Sequence, residues 1–72
     1  MHEVRAEITA SVILVRVEAG QRVAEGEELV VLESMKMEIP VLAPVDGTVS
    51  QVALAAGATV AEGDLVAVID AA

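Results

Sequence analysis

The chain has 72 residues, 56% of them hydrophobic, with no Phe, Trp, Tyr or Cys, and twelve acids against four bases give a formal net charge of −8. A chain this short holds one small core and buries only about 60% of its unfolded surface, which leaves little wall for a self-contained catalytic cleft. The missing cysteines exclude a disulfide framework and thiol chemistry, and the acidic balance makes nucleic acid and anionic lipid surfaces poor partners.

The opening MHEVRAEIT lacks the basic start and apolar stretch of a signal peptide. No apolar run reaches the ~18 residues of a membrane span, so the cytoplasm is the expected location. His2 is the only histidine, which leaves zinc without a ligand set. A first β-rich run follows at 11–17, then Gly20 and Gly26, then a second run at 29–32. Next comes ESMKMEIP (33–40), which holds the only lysine, Lys36, between the only two methionines besides Met1. Pro40 and Pro44 are expected to limit strand ends and edges. The third run, 48–54, competes with a helix over 50–56, because Ala and Leu favour helix. The neighbouring Gly57, Thr59 and Val60 argue for strand, and a fourth run at 65–69 follows Gly63. The five glycines stand singly, without a phosphate-cradling GxGxxG or GK[ST] pattern, and read as positive-φ turn positions.

The chain repeats itself. At a constant offset of 37, VRVEAGQRVAEGEELVVLES (15–34) and VALAAGATVAEGDLVAVIDA (52–71) share eight of twenty residues, including both glycines and the tetrapeptide VAEG. The matched positions extend upstream, where Ala6 aligns with Ala43 and Ser11–Val12 with Thr48–Val49. Two copies of a four-stranded unit predict an all-β fold: a flattened eight-stranded barrel or sandwich of two four-stranded sheets with an internal pseudo-twofold. Residues 1–72 form one domain in this reading, with repeat halves at approximately 1–35 and 38–72 and a hairpin at 33–38.

Lys36 lies between the halves, since its equivalent would be residue 73. The pseudo-twofold then sets this junction at one end of the molecule and both termini at the other. Two-residue hairpins favour Asn-Gly or Gly-X, because their turns need positive φ. If Met35 and Lys36 occupy such a turn, they give up local stability, about 1–3 kcal/mol for strained residues. A plain strand with Met35 and Met37 inward and Lys36 outward is the other reading of the same spacing.

The stretch GQRVAEGEELVVLESMKME resembles the biotinyl attachment domain, whose pattern is G-x-x-V-x-x-G-x-x-L-x-x-[IL]-E-[AS]-M-K-M. Gly20, Val23, Gly26, Leu29, Leu32, Glu33, Ser34, Met35, Lys36 and Met37 fit it, and VLAPVDGTVSQV resembles the family's entry into its second half. The resemblance covers nearly the whole chain. It implies a carrier without catalysis of its own, in which a biotin protein ligase attaches biotin to Lys36. The biotin arm then carries carboxylate from a biotin carboxylase to a carboxyltransferase. Glu33, Ser34, Met35, Met37 and Glu38 are the expected recognition residues around that acceptor, with Met35 and Met37 as adaptable apolar contacts.

Two other readings stay open. A lipoyl carrier shares the fold and the attachment hairpin, but lipoyl domains typically carry Asp before the lysine and Ala after it. A cofactor-free β interaction module leaves the singular lysine without a role. The family often has Pro and Gly where this chain has AEITASV (6–12), while Pro44 and Gly47 keep that pattern in the second half. The first half's turn is therefore expected to differ in shape. The chain has no room for the extra thumb loop of some biotinyl domains, so partner contacts are expected from the hairpin and its neighbours. The isolated domain is expected to be a monomer.

Overall fold

β-branched residues concentrate in short runs, and the computed structural model, which describes all 72 residues, turns each run into a strand. The eight are β1 (His2–Arg5), β2 (Ala10–Val15), β3 (Arg22–Val23), β4 (Glu28–Ser34), β5 (Met37–Leu42), β6 (Gly47–Val52), β7 (Thr59–Val60) and β8 (Leu65–Ala71). They form two antiparallel four-stranded sheets, sheet I in the order β1-β8-β6-β3 and sheet II in the order β5-β4-β2-β7. Exchanging β1 with β5, β2 with β6, β3 with β7 and β4 with β8 converts one order into the other. The predicted all-β architecture of two four-stranded sheets is thus what the chain adopts. The competing helix over 50–56 does not form: β6 runs to Val52, and Ala53 N–H continues the pairing by donating to Val66 O at 2.9 Å.

The repeat extends to irregularities. Sheet II has β-bulges between Val12 and Leu14 and between Glu28 and Val30. Sheet I has both equivalents, one between Val49 and Gln51 on β6 and one where Val4 and Arg5 of β1 pair with Ala67 and Leu65, leaving Val66 of β8 as the extra residue. Each bulge sets an extra residue against the partner strand and sharpens the local twist, which helps two small sheets curl over one core. The β4 bulge also explains why Leu29 and Val30 are consecutive yet both reach the core. Leu29, Leu32 and Ile69 are the largest of the fully buried side chains, ringed by Val12, Val30, Val49, Val60 and Val66. Burying each such aliphatic side chain contributes about 1.5–3 kcal/mol.

Four tight turns cap the barrel, and the repeated AEG tripeptide builds two of them. Glu27 N–H donates to Ala24 O at 3.0 Å, and Asp64 N–H to Ala61 O at 3.0 Å. Their third positions, Gly26 and Gly63, have φ of +87° and +89°, a region that glycine enters without a Cβ penalty. The following acid closes each turn: Glu27 accepts from Ala24 N–H at 3.2 Å, and Asp64 from Ala61 N–H at 2.8 Å.

These turns also lock the halves together. Gly26 N–H donates to Ala43 O at 2.9 Å and Gly63 N–H to Ala6 O at 2.8 Å, while Ala43 N–H reaches Glu27 O and Ala6 N–H reaches Asp64 O. The segments 6–9 and 43–46 therefore make matching flanking bonds despite their different sequences. They differ at Asp46, which accepts from Glu25 N–H at 2.6 Å through its side chain and from Ala72 N–H at 2.9 Å through its carbonyl.

One glycine departs from the expected role. Gly47 is not a positive-φ turn residue but the first residue of β6. A Cβ there would collide with the Asp70 carbonyl oxygen, so the position needs glycine for close backbone approach. Its repeat partner is Ala10, buried with its methyl in the core.

Candidate functional site

β4 and β5 pair from Glu28↔Leu42 to Ser34↔Met37, leaving Met35 and Lys36 as a two-residue hairpin loop. Their φ values are +53° and +65°, and they are the only non-glycine residues with positive φ in the chain. Positive φ at both central positions is the requirement of a type I′ turn, whose twist matches the flanking strands. Neither residue is of the kind that enters this region readily. Left-handed backbone costs about 1–2 kcal/mol for an ordinary L-residue.

The methionines do not point inward. Met35 is 89% exposed and Met37 60%, so the lysine stands between two solvated thioether side chains. Lys36 is exposed as well and makes no ion pair or hydrogen bond. Ser34 is half-buried at the end of β4, whereas Glu33 and Glu38 are exposed. These two glutamates are directly opposite each other across the β4–β5 pair. Like charges so placed destabilise a sheet, and no base answers them. The ion pairs of the molecule lie elsewhere, Arg5–Glu3 at 2.8 Å and Arg16–Glu28 at 2.9 Å.

The connectivity sets the tip far from the chain ends. β5 leaves the tip at Met37 and finishes at Leu42, and the short link to β6 brings Gly47 beside Ala71. Ala72 N–H is bonded to Asp46 in that same link, and His2 pairs with Ile69 nearby. At about 3.4 Å per residue, the length of β5 alone separates Lys36 from this end by roughly 17 Å. The molecule is elongated accordingly, 35 × 17 × 17 Å.

A single amine at this apex is free to be acylated without displacing any partner or disturbing the core. No group of three or more metal-ligating side chains comes together anywhere in the fold. A groove of about 390 Å³ opens between the edge strands β1 and β5, with Glu3, Arg5 and Glu7 on one side and Ile39 and Pro40 on the other. It stops short of the tip and does not include Lys36. The structure also exposes Leu14 and Leu42 on the outer face of sheet II, 47% and 46%, which sequence reasoning did not single out. The signal lay in the repeat, where these positions align with Gln51 and Arg5.

Comparison with known proteins gives concordant matches. The family model described as "Biotin-requiring enzyme", of the biotin/lipoyl type, matches residues 3–69. A Mycobacterium leprae protein named as a homolog of biotinylated protein TB7.3 is 57% identical over 67 residues, which are 93% of this chain and 94% of that one. The human mitochondrial propionyl-CoA carboxylase alpha chain is 46% identical over 61 residues, 85% of this chain but 8% of that one. Among solved structures, a single-chain, multi-domain long-chain acyl-CoA carboxylase contains a region matching 99% of this chain with a TM-score of 0.91 and 32% identity, and that region is 7% of its length.

Proposed function

The chain belongs to the biotinyl attachment family, and on that premise we propose that it is a biotin carrier whose covalent attachment point is Lys36. The observation that carries this reading is the placement of the only lysine at the apex of a hairpin turn in positive φ. Folding alone would favour Asn-Gly there, so the residues at the apex answer to another requirement.

A biotin protein ligase supplies the activated acyl group. The amide forms between Lys36 Nζ and the acyl carbon of activated biotin, with departure of the activating group and loss of a proton from Nζ. Met35 and Met37 offer the ligase soft apolar contacts on either side of the amine. Ser34, Glu33 and Glu38 lie behind them as polar recognition groups. Once bound, biotin supplies a ureido nitrogen that takes up and releases carboxylate. The protein's part is to hold the arm at the tip of a rigid barrel, where a biotin carboxylase and a carboxyltransferase reach it in turn. The domain performs no catalysis itself, and we place its work in the cytoplasm, as a monomer.

The test is intact mass after co-expression with a biotin protein ligase and biotin, followed by peptide mapping. A gain of one biotin minus water, on Lys36, is the expected result. Modification only by a lipoyl ligase would reverse the assignment in favour of a lipoyl carrier. No modification by either would leave a cofactor-free β module. The methionines carry the discrimination, so the double substitution Met35→Asp with Met37→Ala is expected to move the site toward lipoyl ligase. Undiminished biotinylation of that double variant would show that the methionines do not select the cofactor.

A further inference from the structure

The outer faces of the two sheets occupy equivalent positions of the repeat, which makes each an internal control for the other. On sheet I the outward positions of β6 and β1 carry Ser50, Gln51, Glu3 and Arg5; the same positions on sheet II carry Ile13, Leu14, Pro40 and Leu42. At these positions sheet I is polar and self-satisfied: Ser50 Oγ donates to Val68 O at 3.2 Å, and Arg5 pairs with Glu3 at 2.8 Å. The fold thus accepts polar side chains there. Sheet II instead exposes Leu14 and Leu42 by nearly half, in a patch continuous with Val31, which pairs with both Leu14 and Pro40. The contrast stops at the far border, where sheet II has the Arg16–Glu28 pair and sheet I has Ala53 and Leu65.

Toward the hairpin tip this patch is bordered by the Ser11–Glu33–Glu38 row, whose two opposed carboxylates lack a base. Apolar side chains with uncompensated acid on one border fit an apolar surface bordered by Lys or Arg. A second copy of the chain is a poor match, because each copy has a net charge of −8 and brings its own acid pair.

Distance from Lys36 chooses among protein partners. Along β5 the patch starts at Pro40, about 14 Å from Lys36, and ends at Leu42, about 20 Å away. An enzyme that acylates Nζ must bring its reacting carbon within about 3–3.5 Å of it, so its body packs on the tip and is within reach of this face. An enzyme acting at the far end of an attached arm stands off by the arm's length.

We propose that the outer face of sheet II is the docking surface for the biotin protein ligase, which meets Ile13, Leu14, Pro40 and Leu42 with apolar groups and Glu33 and Glu38 with cationic ones. The identity of this partner rests on the carrier reading; the asymmetry of the two faces does not.

The experiment is steady-state biotinylation of the full chain by a biotin protein ligase with ATP and biotin. The triple variant Ile13→Ser, Leu14→Gln, Leu42→Arg installs the residues that sheet I already carries. Its KM is expected to rise about tenfold with kcat within about twofold of the parent and an unchanged thermal melt. Glu33→Gln with Glu38→Gln raises KM and flattens its dependence on salt, while Gln51→Ala on sheet I leaves KM unchanged. If the triple variant loses its β circular-dichroism signal, the single Leu14→Gln substitution gives the same reading. An unchanged KM alongside normal biotinylation of the parent overturns the docking surface and leaves the carrier reading standing. Absence of biotinylation in the parent overturns both. A concentration-dependent dimer in sedimentation that the triple variant abolishes assigns the face to a second copy instead.

Discussion

Met35 and Lys36 illustrate a local conflict between folding and use. Both adopt the positive φ that the β4–β5 turn demands, and neither residue type prefers it. Asparagine does so at lower cost, so Met35→Asn is expected to stabilise the protein by about 1 kcal/mol, which for a domain of this size raises Tm by about 4–8 °C. The same substitution removes one apolar contact beside the acceptor and is expected to slow biotinylation. A melt that falls in Met35→Asn would show that the turn is not strained. Lys36→Ala is expected to abolish modification, read by intact mass, without lowering Tm appreciably, since an exposed tip contributes little to the core. Loss of the β signal in that variant would contradict the picture of a solvated acceptor. The type and singularity of these residues were visible in the sequence. Their orientation was not, because the same spacing also suits a strand with both methionines inward; the two-residue loop between Ser34 and Met37 decided it.

Turns and strands are where the repeat acquires structural meaning. Gly26 and Gly63 have nearly equal φ and open space where a Cβ would go, so substitution there is penalised by backbone conformation alone. Gly26→Val and Gly63→Val are expected to destabilise equally, by about 1–3 kcal/mol in denaturant titration. A harmless change at one site and a damaging one at the other would break the equivalence of the turns. Gly47→Ala belongs to a different class, since the new methyl meets the Asp70 backbone, which a side-chain rotation cannot clear. It is expected to cost more than either turn substitution, whereas Ala10→Gly in the other half loses only one buried methyl. Spacing and composition made all five glycines look alike. The distinction at Gly47 depends on how closely β6 and β8 approach at their paired ends, a long-range contact that no local pattern records.

At the scale of the molecule, the halves are not two domains in sequence. Each sheet mixes strands from both, and the turns of one half bond to the connectors of the other. Neither 1–36 nor 37–72 can complete a sheet alone, so each fragment is expected to be unfolded by circular dichroism, and the intact chain to unfold in one cooperative transition. An independently folded fragment would mean that the crossed bonds are dispensable. The interlocking also serves the proposed carrier. It builds the barrel on an aliphatic core and sets the amine of Lys36, the proposed acceptor, at the end opposite the termini.

The sequence by itself determined the β class, the 37-residue repeat, the family resemblance and the singular lysine, because each is written in residue type and spacing along the chain. Strand alternation and glycine punctuation are local signals, and a covalent acceptor must be a particular side chain. Tertiary structure alone decided the pairing of Glu33 with Glu38, the clash reserved at Gly47 and the contrast between the two outer faces. Those depend on which strands become neighbours and on where each bulge shifts the register, and both are settled only when the two halves close over a common core.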